Sequence, residues 1–149
     1  MEASTEASTE ANAMEPLRIG ILRRDGRTDA FFDGTAADRL VVKRCAACDL
    51  WFAPDQGTCP GCGDEELEWA EAGGDATLVS WTVVHGRPAA DGTAPPPAHL
   101  AMVELAEGPW LHARLTGVDQ SALREGLPLR AVFVHPGEGE SYLLFRPAS

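Results

Sequence analysis

Cys45-Ala46-Ala47-Cys48, ten intervening residues, and Cys59-Pro60-Gly61-Cys62-Gly63 form the stretch that decides how this chain folds. All four cysteines of the sequence fall within it. Two residues between the members of each pair let the backbone turn in a tight knuckle, and two knuckles bring four sulfurs to the corners of a tetrahedron. A segment of roughly 30 residues cannot bury enough apolar surface to fold unaided, so metal binding is expected to contribute the missing free energy, on the order of 10 kcal/mol. Four thiolates around Zn²⁺ leave a formal negative charge, which Lys43 and Arg44 beside Cys45 and the backbone N–H groups of the knuckles are expected to offset. With four protein ligands no coordination position stays open, so Cys45, Cys48, Cys59 and Cys62 are expected to hold a structural ion. The same ligand set can hold iron, and two disulfides are the remaining alternative; nothing in the sequence indicates the secretion that disulfides favour.

Upstream of the first knuckle, Asp38 to Arg44 reads as a strand, and Leu50-Trp51-Phe52 as the strand that leaves it. Earlier still, Leu17, Ile19, Ile21 and Leu22, then Ala30-Phe31-Phe32, fit one face of one or two short helices broken near Gly26 and Gly34. The opening repeat of Glu, Ala, Ser and Thr has no large apolar side chain and reads as a disordered tail. Met14 is a candidate original start.

Downstream the pattern turns to β. Thr77 to Val84 is rich in β-branched and aromatic residues; Gly86 to Pro97, with four prolines and two glycines, reads as a loop. Leu100 to Leu105 and Trp110 to Leu115 flank a hairpin connection, and Leu111, Ala113 and Leu115 alternate with Trp110, His112 and Arg114. Asp119 to Gly126 reads as one short helix with an Asp N-cap and a Gly stop, followed by strands over Leu127 to Val134 and Ser141 to Phe145. Five strands with a single helix between the third and fourth match the order of an OB-fold barrel; a generic β-sandwich fits the strand count almost as well. The expected organisation is mainly β: a tail over residues 1–15, a helical segment over 16–37, a zinc ribbon over 38–70 and an OB-fold over 71–149.

At 149 residues, with 44% hydrophobic and 23% charged, the chain has material for one domain or two small modules. No membrane-spanning run and no signal-peptide pattern is visible, so a soluble, cytoplasmic protein is expected. The formal charge of −11 is uneven: −4 over residues 1–16, +3 from Arg18 to Arg44 and −10 from Cys45 onward. A body so acidic repels the phosphate backbone and argues against general nucleic-acid binding. Catalytic patterns are missing too: there is no nucleophile elbow, phosphate loop or dinucleotide fingerprint, and with every cysteine committed no thiol remains for acyl transfer. The scattered His85, His99, His112 and His135 read as structural or surface residues. Trp69 and Trp81 are expected in the core or at a module junction, and Trp51 and Trp110 nearer to edges.

Taken in order, Phe31-Phe32-Asp33-Gly34, Leu40 to Cys48, Pro54, Cys59-Pro60-Gly61-Cys62, Leu67-Glu68-Trp69, Val79 to Val83, Met102 to Leu105, Glu107-Gly108-Pro109, Leu123 to Leu127 and Phe145-Arg146-Pro147 resemble the OB-fold acyl-CoA-associated family that carries a rubredoxin-like zinc ribbon. The resemblance covers about residues 28–148. It implies a non-catalytic companion of a thiolase-fold enzyme, a thiolase or an aldolase, that bridges subunits and helps to hold the CoA thioester. On that reading Arg18, Arg23, Arg24, Arg27 and Arg87 are candidates for the CoA phosphates, and Phe31 and Phe32 for the pantetheine or acyl path. Two positions depart from the family pattern: Asp49 stands where a glycine usually gives the first knuckle its left-handed residue, and Ala76 replaces the second glycine of a turn after Gly74. A single-stranded nucleic-acid module and a stand-alone acyl-CoA thioesterase or transferase remain the alternatives.

Overall fold

The computed structural model describes residues 21–148. Its elements, in chain order, are a helix α1 (Asp29–Ala36) and eight strands: β1 (Leu40–Cys45), β2 (Leu50–Phe52), β3 (Glu68–Ala72), β4 (Asp75–Val84), β5 (Ala98–Leu105), β6 (Trp110–Arg114), β7 (Pro128–Val134) and β8 (Tyr142–Pro147). β2-β1-β3 form a small antiparallel sheet, and β6-β5-β4-β7-β8 a larger one that curls into the barrel. The curl brings its outer strands together at one point: Leu115 bridges Phe145 in parallel sense, and the Thr116 N–H donates to the Phe145 carbonyl at 2.8 Å.

Alternation decides which residues fill the interior. Leu111 on β6, Val103 and Leu105 on β5, Leu78 on β4, Leu129 on β7 and Phe145 on β8 turn inward, and Leu40, Val42 and Ala72 of the small sheet join the same cluster. The two sheets thus share one core. They are joined by Gly73-Gly74, where Gly74 takes φ 94°; the Gly73 N–H is latched by Glu107 Oε2 at 2.8 Å, and Ala76 lies buried in β4 just beyond the turn.

α1 is shorter than expected and Gly34 does not break it. A Cβ at Gly34 would lie 2.6 Å from Val41 Cγ2 and 2.9 Å from the Arg39 carbonyl, so glycine lets the helix press against β1. The helix ends two residues later, where the N–H groups of Ala37 and Arg39 turn back to the Gly34 carbonyl. Residues 21–28 are not helical. They run along the β7–β8 turn, held by the Glu140 N–H to the Leu22 carbonyl at 2.9 Å, by Arg24 to Glu140 and Asp33, and by Arg23 to Glu138. The expected tail over residues 1–15, and Leu17, Arg18 and Ile19 of the expected helical segment, lie outside the described residues.

Other differences have local causes. The helix expected over Asp119 to Gly126 is a single 3₁₀ turn (Gln120–Ala122), because the Asp119 side chain takes the Ser121 hydroxyl and caps no backbone N–H. β3 went unnoticed because Glu68-Trp69-Ala70-Glu71-Ala72 has little intrinsic strand preference; five-residue pairing with β1 recruits it. Trp81, expected in the core or at a module junction, is 39% exposed: a bulge between Leu78 and Ser80 keeps it on the face of Leu78, opposite buried Ala101, but β7 pairs with β4 only over Asp75 to Thr77 and leaves this end of β4 uncovered. Beyond Val84 the chain continues as a proline-rich arm to Ala98. Gly86 packs on Pro95, and the Ala89 N–H reaches the Thr93 carbonyl at 2.7 Å.

Two outcomes follow. Gly34→Ala, usually favourable within a helix, is expected to cost about 2 kcal/mol in chemical denaturation because the added methyl overpacks Val41. Glu140, held below its usual carboxylate range by the Arg24 hydrogen bonds, contributes stability that is present above its ordinary value of 4.5 and lost as pH falls through its lowered one. The melting-temperature difference between wild type and Glu140→Gln is therefore expected to be full at neutral pH and to vanish in acid.

Candidate metal centre and adjoining cleft

Each pair of cysteines is set by the same backbone device. The Asp49 N–H donates to the Cys45 carbonyl and the Gly63 N–H to the Cys59 carbonyl, both at 2.7 Å. The residues that close the two turns take left-handed conformations, Asp49 at φ 57° and Gly63 at φ 78°. Asp49 therefore occupies the conformation its position calls for, and its carboxylate accepts from Arg44 Nε at 2.7 Å. Cys45 ends β1, β2 pairs back along it from Leu50, and the loop after β2 delivers Cys59 and Cys62.

The four sulfurs lie within 4.8 Å of one another, and Cys45 Sγ is 3.7 Å from Cys62 Sγ. A tetrahedron with metal–sulfur bonds of about 2.3 Å has edges of about 3.8 Å, so the donor set fits a four-coordinate ion. The cysteines are not joined as disulfides. Cys45 and Cys59 are buried, Cys48 is half-buried and Cys62 lies at the surface.

Crowding of the sulfurs redistributes their protons. Contact with the Cys62 thiol, followed by burial, pushes Cys48 up to about 12. Burial also presses Cys59 upward, but the N–H groups of Cys62 and Gly61, aided by the Cys45 and Cys62 thiols, outweigh it and hold Cys59 below its usual value. At Cys62 the Asp64 N–H favours the thiolate, yet contacts with Cys45 and Cys59 together with burial leave it raised. Backbone donors, with help from neighbouring thiols, are thus what favours negative sulfur. The expected help from Lys43 and Arg44 goes elsewhere. Arg44 bonds Asp49 and Glu68, while Lys43 donates to the Gln56 carbonyl at 2.9 Å and sits 5.0 Å from the centre of the Trp69 ring.

Beside the ribbon lies a cleft of about 320 Å³. Phe31 and Phe32 of α1, Ala53 and Pro54 after β2, Trp110 of β6 and Leu143 of β8 give it apolar walls, with Thr28, Asp55 and His112 as its polar lining. The two phenylalanines meet edge to face, centroids 5.2 Å apart. Trp110 is 54% exposed, whereas Trp51 packs onto the core.

Of the candidate phosphate contacts, Arg23, Arg24 and Arg27 are each paired with carboxylates: Glu138; Glu140 and Asp33; and Asp25. Arg24 is the most enclosed of the three, whereas Arg23 and Arg27 are largely exposed. Arg87 sits on the proline-rich arm and makes no ion pair with a described residue; Arg18 lies outside the described residues. Sequence reasoning overlooked one constellation, Ser141–His135–Asp38, with 2.7 Å from His135 Nδ1 to Ser141 Oγ and from Nε2 to Asp38 Oδ1. It ties the β7–β8 turn to the corner between α1 and β1, where Asp38 takes φ 61°, and Ser141 does not line the cleft. No sequence spacing announces it, since Asp38 and His135 are 97 residues apart.

Comparison with known proteins agrees with this architecture. Residues 32–68 match the family described as ChsH2, rubredoxin-like zinc ribbon domain, and residues 69–134 match ChsH2, C-terminal OB-fold domain. A DUF35 domain-containing scaffold protein of Pyrococcus furiosus is 34% identical over 95 residues, which make up 63% of this chain and 68% of that protein. A probable enoyl-CoA hydratase alpha subunit of Thermomonospora curvata is 30% identical over 141 residues, 94% of this chain, but the chain spans only 44% of that protein's length. Among solved structures, a chain of an Ltp2-ChsH2(DUF35) aldolase superposes with a TM-score of 0.72 at 29% identity, covering 85% of this chain and 98% of that one. A DUF35 protein of unknown function from Sulfolobus solfataricus shares the fold at 18% identity, with a TM-score of 0.57 over 99% of this chain and 97% of its own. Knuckles, ribbon sheet and curled five-stranded sheet together place this chain in the DUF35 family, as a ChsH2-type protein with a rubredoxin-like zinc ribbon and an OB-fold.

Proposed function

We propose that this chain is a non-catalytic accessory subunit of a thiolase-fold enzyme, a thiolase or an aldolase, acting on acyl-CoA substrates, and that it bridges subunits and helps to hold the CoA thioester. The observation that carries the reading is the likeness to nearly the whole length of the chain solved in an aldolase assembly. The scaffold name of the Pyrococcus relative supports a component of a larger assembly, and the hydratase-subunit name of the Thermomonospora relative one that handles enoyl-CoA.

In this reading Cys45, Cys48, Cys59 and Cys62 hold zinc. Four sulfurs fill its coordination sphere, so the ion serves by closing both knuckles at once and offers no site to substrate. The apolar cleft suits the uncharged part of a thioester, with Phe31 and Phe32 as one wall. Arg23 and Arg27 make ion pairs that are mostly solvent-exposed, and such pairs are weak enough to be exchanged for a phosphate. Arg24 stays with Glu140 and Asp33 as part of the scaffold. Arg87 would meet ligand or partner only through the arm.

Removal of the ion is expected to unfold the ribbon, because its contribution, on the order of 10 kcal/mol, rivals the whole stability of a typical domain. A strong chelator, or Cys59→Ser, is thus expected to abolish the dispersed amide signals of β1 to β3 in an NMR spectrum. Metal analysis of protein purified without added metal is expected to give one zinc per chain; stoichiometric iron with a red colour would overturn the assignment. Co-expression with a thiolase-fold enzyme, a thiolase or an aldolase, from the same organism is expected to yield a stable complex whose acyl-CoA activity depends on this chain. An enzyme fully active alone that leaves this chain behind, or turnover of acyl-CoA by the isolated chain, would refute the accessory role.

A further inference from the structure

The cleft is the seam of an incompletely closed barrel, and its banks carry backbone hydrogen-bonding groups with nothing to bond. Leu115 N–H donates to the His99 carbonyl and Leu105 N–H to the Pro109 carbonyl. In the antiparallel register this directs the N–H and C=O groups of Leu111 and Ala113 toward β5 and those of Trp110 and His112 away from it. On the opposite bank, Ala148 N–H donates to the Pro128 carbonyl, and the Phe145 carbonyl accepts from Thr116. By the same alternation Leu143 faces away from β7. Trp110, His112 and Leu143 all line the cleft, and among the described residues none of their outward backbone groups has a partner.

The seam is short. It is closed at one end by the Leu115–Phe145 bridge and flanked by α1 and by Ala53 and Pro54. Two outward-facing residues on β6 and one on β8 match a slender chain that carries two amides, and leave little room for the side chains of an added peptide strand. The volume, about 320 Å³, lies at the lower end of the range for small-molecule sites. Pantetheine has this form: an extended arm with two secondary amides, apolar methylenes and one branched, gem-dimethyl end.

Building on the CoA reading above, we propose that the pantetheine arm lies along the β6 edge in this seam, its amides bonded to the backbone of Trp110 and His112 on one side and Leu143 on the other. Recognition then rests on main-chain groups, with Phe31, Phe32 and Trp110 as apolar walls. The phosphates remain outside, away from the Asp55 carboxylate.

The test uses the full, metal-loaded chain titrated with pantetheine. Saturable binding is expected, with slowed amide hydrogen exchange at Trp110, His112 and Leu143. His112→Pro removes an outward N–H without breaking the pairing with β5, since proline is accepted on an edge where its nitrogen faces away from the ladder. It is expected to weaken pantetheine about tenfold, and His112→Ala, which keeps the N–H, to weaken it several-fold less. Absence of pantetheine binding at millimolar concentration overturns the proposal. Equal protection of the same amides by adenosine 3′,5′-bisphosphate, which lacks the arm, does so as well. Should His112→Pro not fold, the exchange measurement on wild type decides alone. Loss of the enzyme complex with pantetheine binding intact would count against the accessory role, and the reverse pattern against this site only.

Discussion

A three-residue strand, a six-residue strand and a five-residue strand do not make a stable sheet by themselves. What allows them to exist is the convergence of four sulfurs at one end and three small or medium apolar side chains, Leu40, Val42 and Ala72, set into the barrel core at the other. Everything between is thin. The two knuckle bonds, each 2.7 Å, and the left-handed Asp49 and Gly63 exist to aim sulfur, and the N–H groups they leave exposed to sulfur are what make a cluster of negative ligands tolerable.

Anchoring the ribbon this way has a second effect. With β1 and β3 fixed to the barrel, the loop after β2 and the helix before β1 come to rest where β6 and β8 diverge, and they cover an edge that would otherwise lie open. The cleft is therefore a product of the ribbon's attachment as much as of the barrel itself. Its walls come from four separated stretches of sequence, near residues 31, 54, 111 and 143. That dispersion explains why Phe31 and Phe32 were legible as a pair while Trp110 and Leu143 were not assigned to the same place.

What could be read from the chain divides along a physical line. The cysteine spacing, the β-branched run of β4 and the alternation in β6 are local signals, and each corresponds to its element within a few residues. Asp49 was legible for the same reason, because a single backbone angle follows from its place in a knuckle. Features decided by tertiary partners were not. β3 depends on β1, the exposure of Trp81 depends on where β7 stops pairing with β4, and Gly34 sits inside a helix because Val41 leaves no room for a methyl group. The arginines of the N-terminal segment look like a cationic patch in sequence, yet their carboxylate partners Glu138 and Glu140 come from the far end of the chain.

The proline-rich arm has a bearing on how such a protein can change. It is braced within itself by Gly86 on Pro95 and by Ala89 with Thr93, and none of its residues lines the cleft. Lengthening, shortening or recolouring its tip at Asp91 and Gly92 leaves the rest of the molecule undisturbed. The arm is where length and sequence can vary at little thermodynamic risk, and where an experimenter can graft a label.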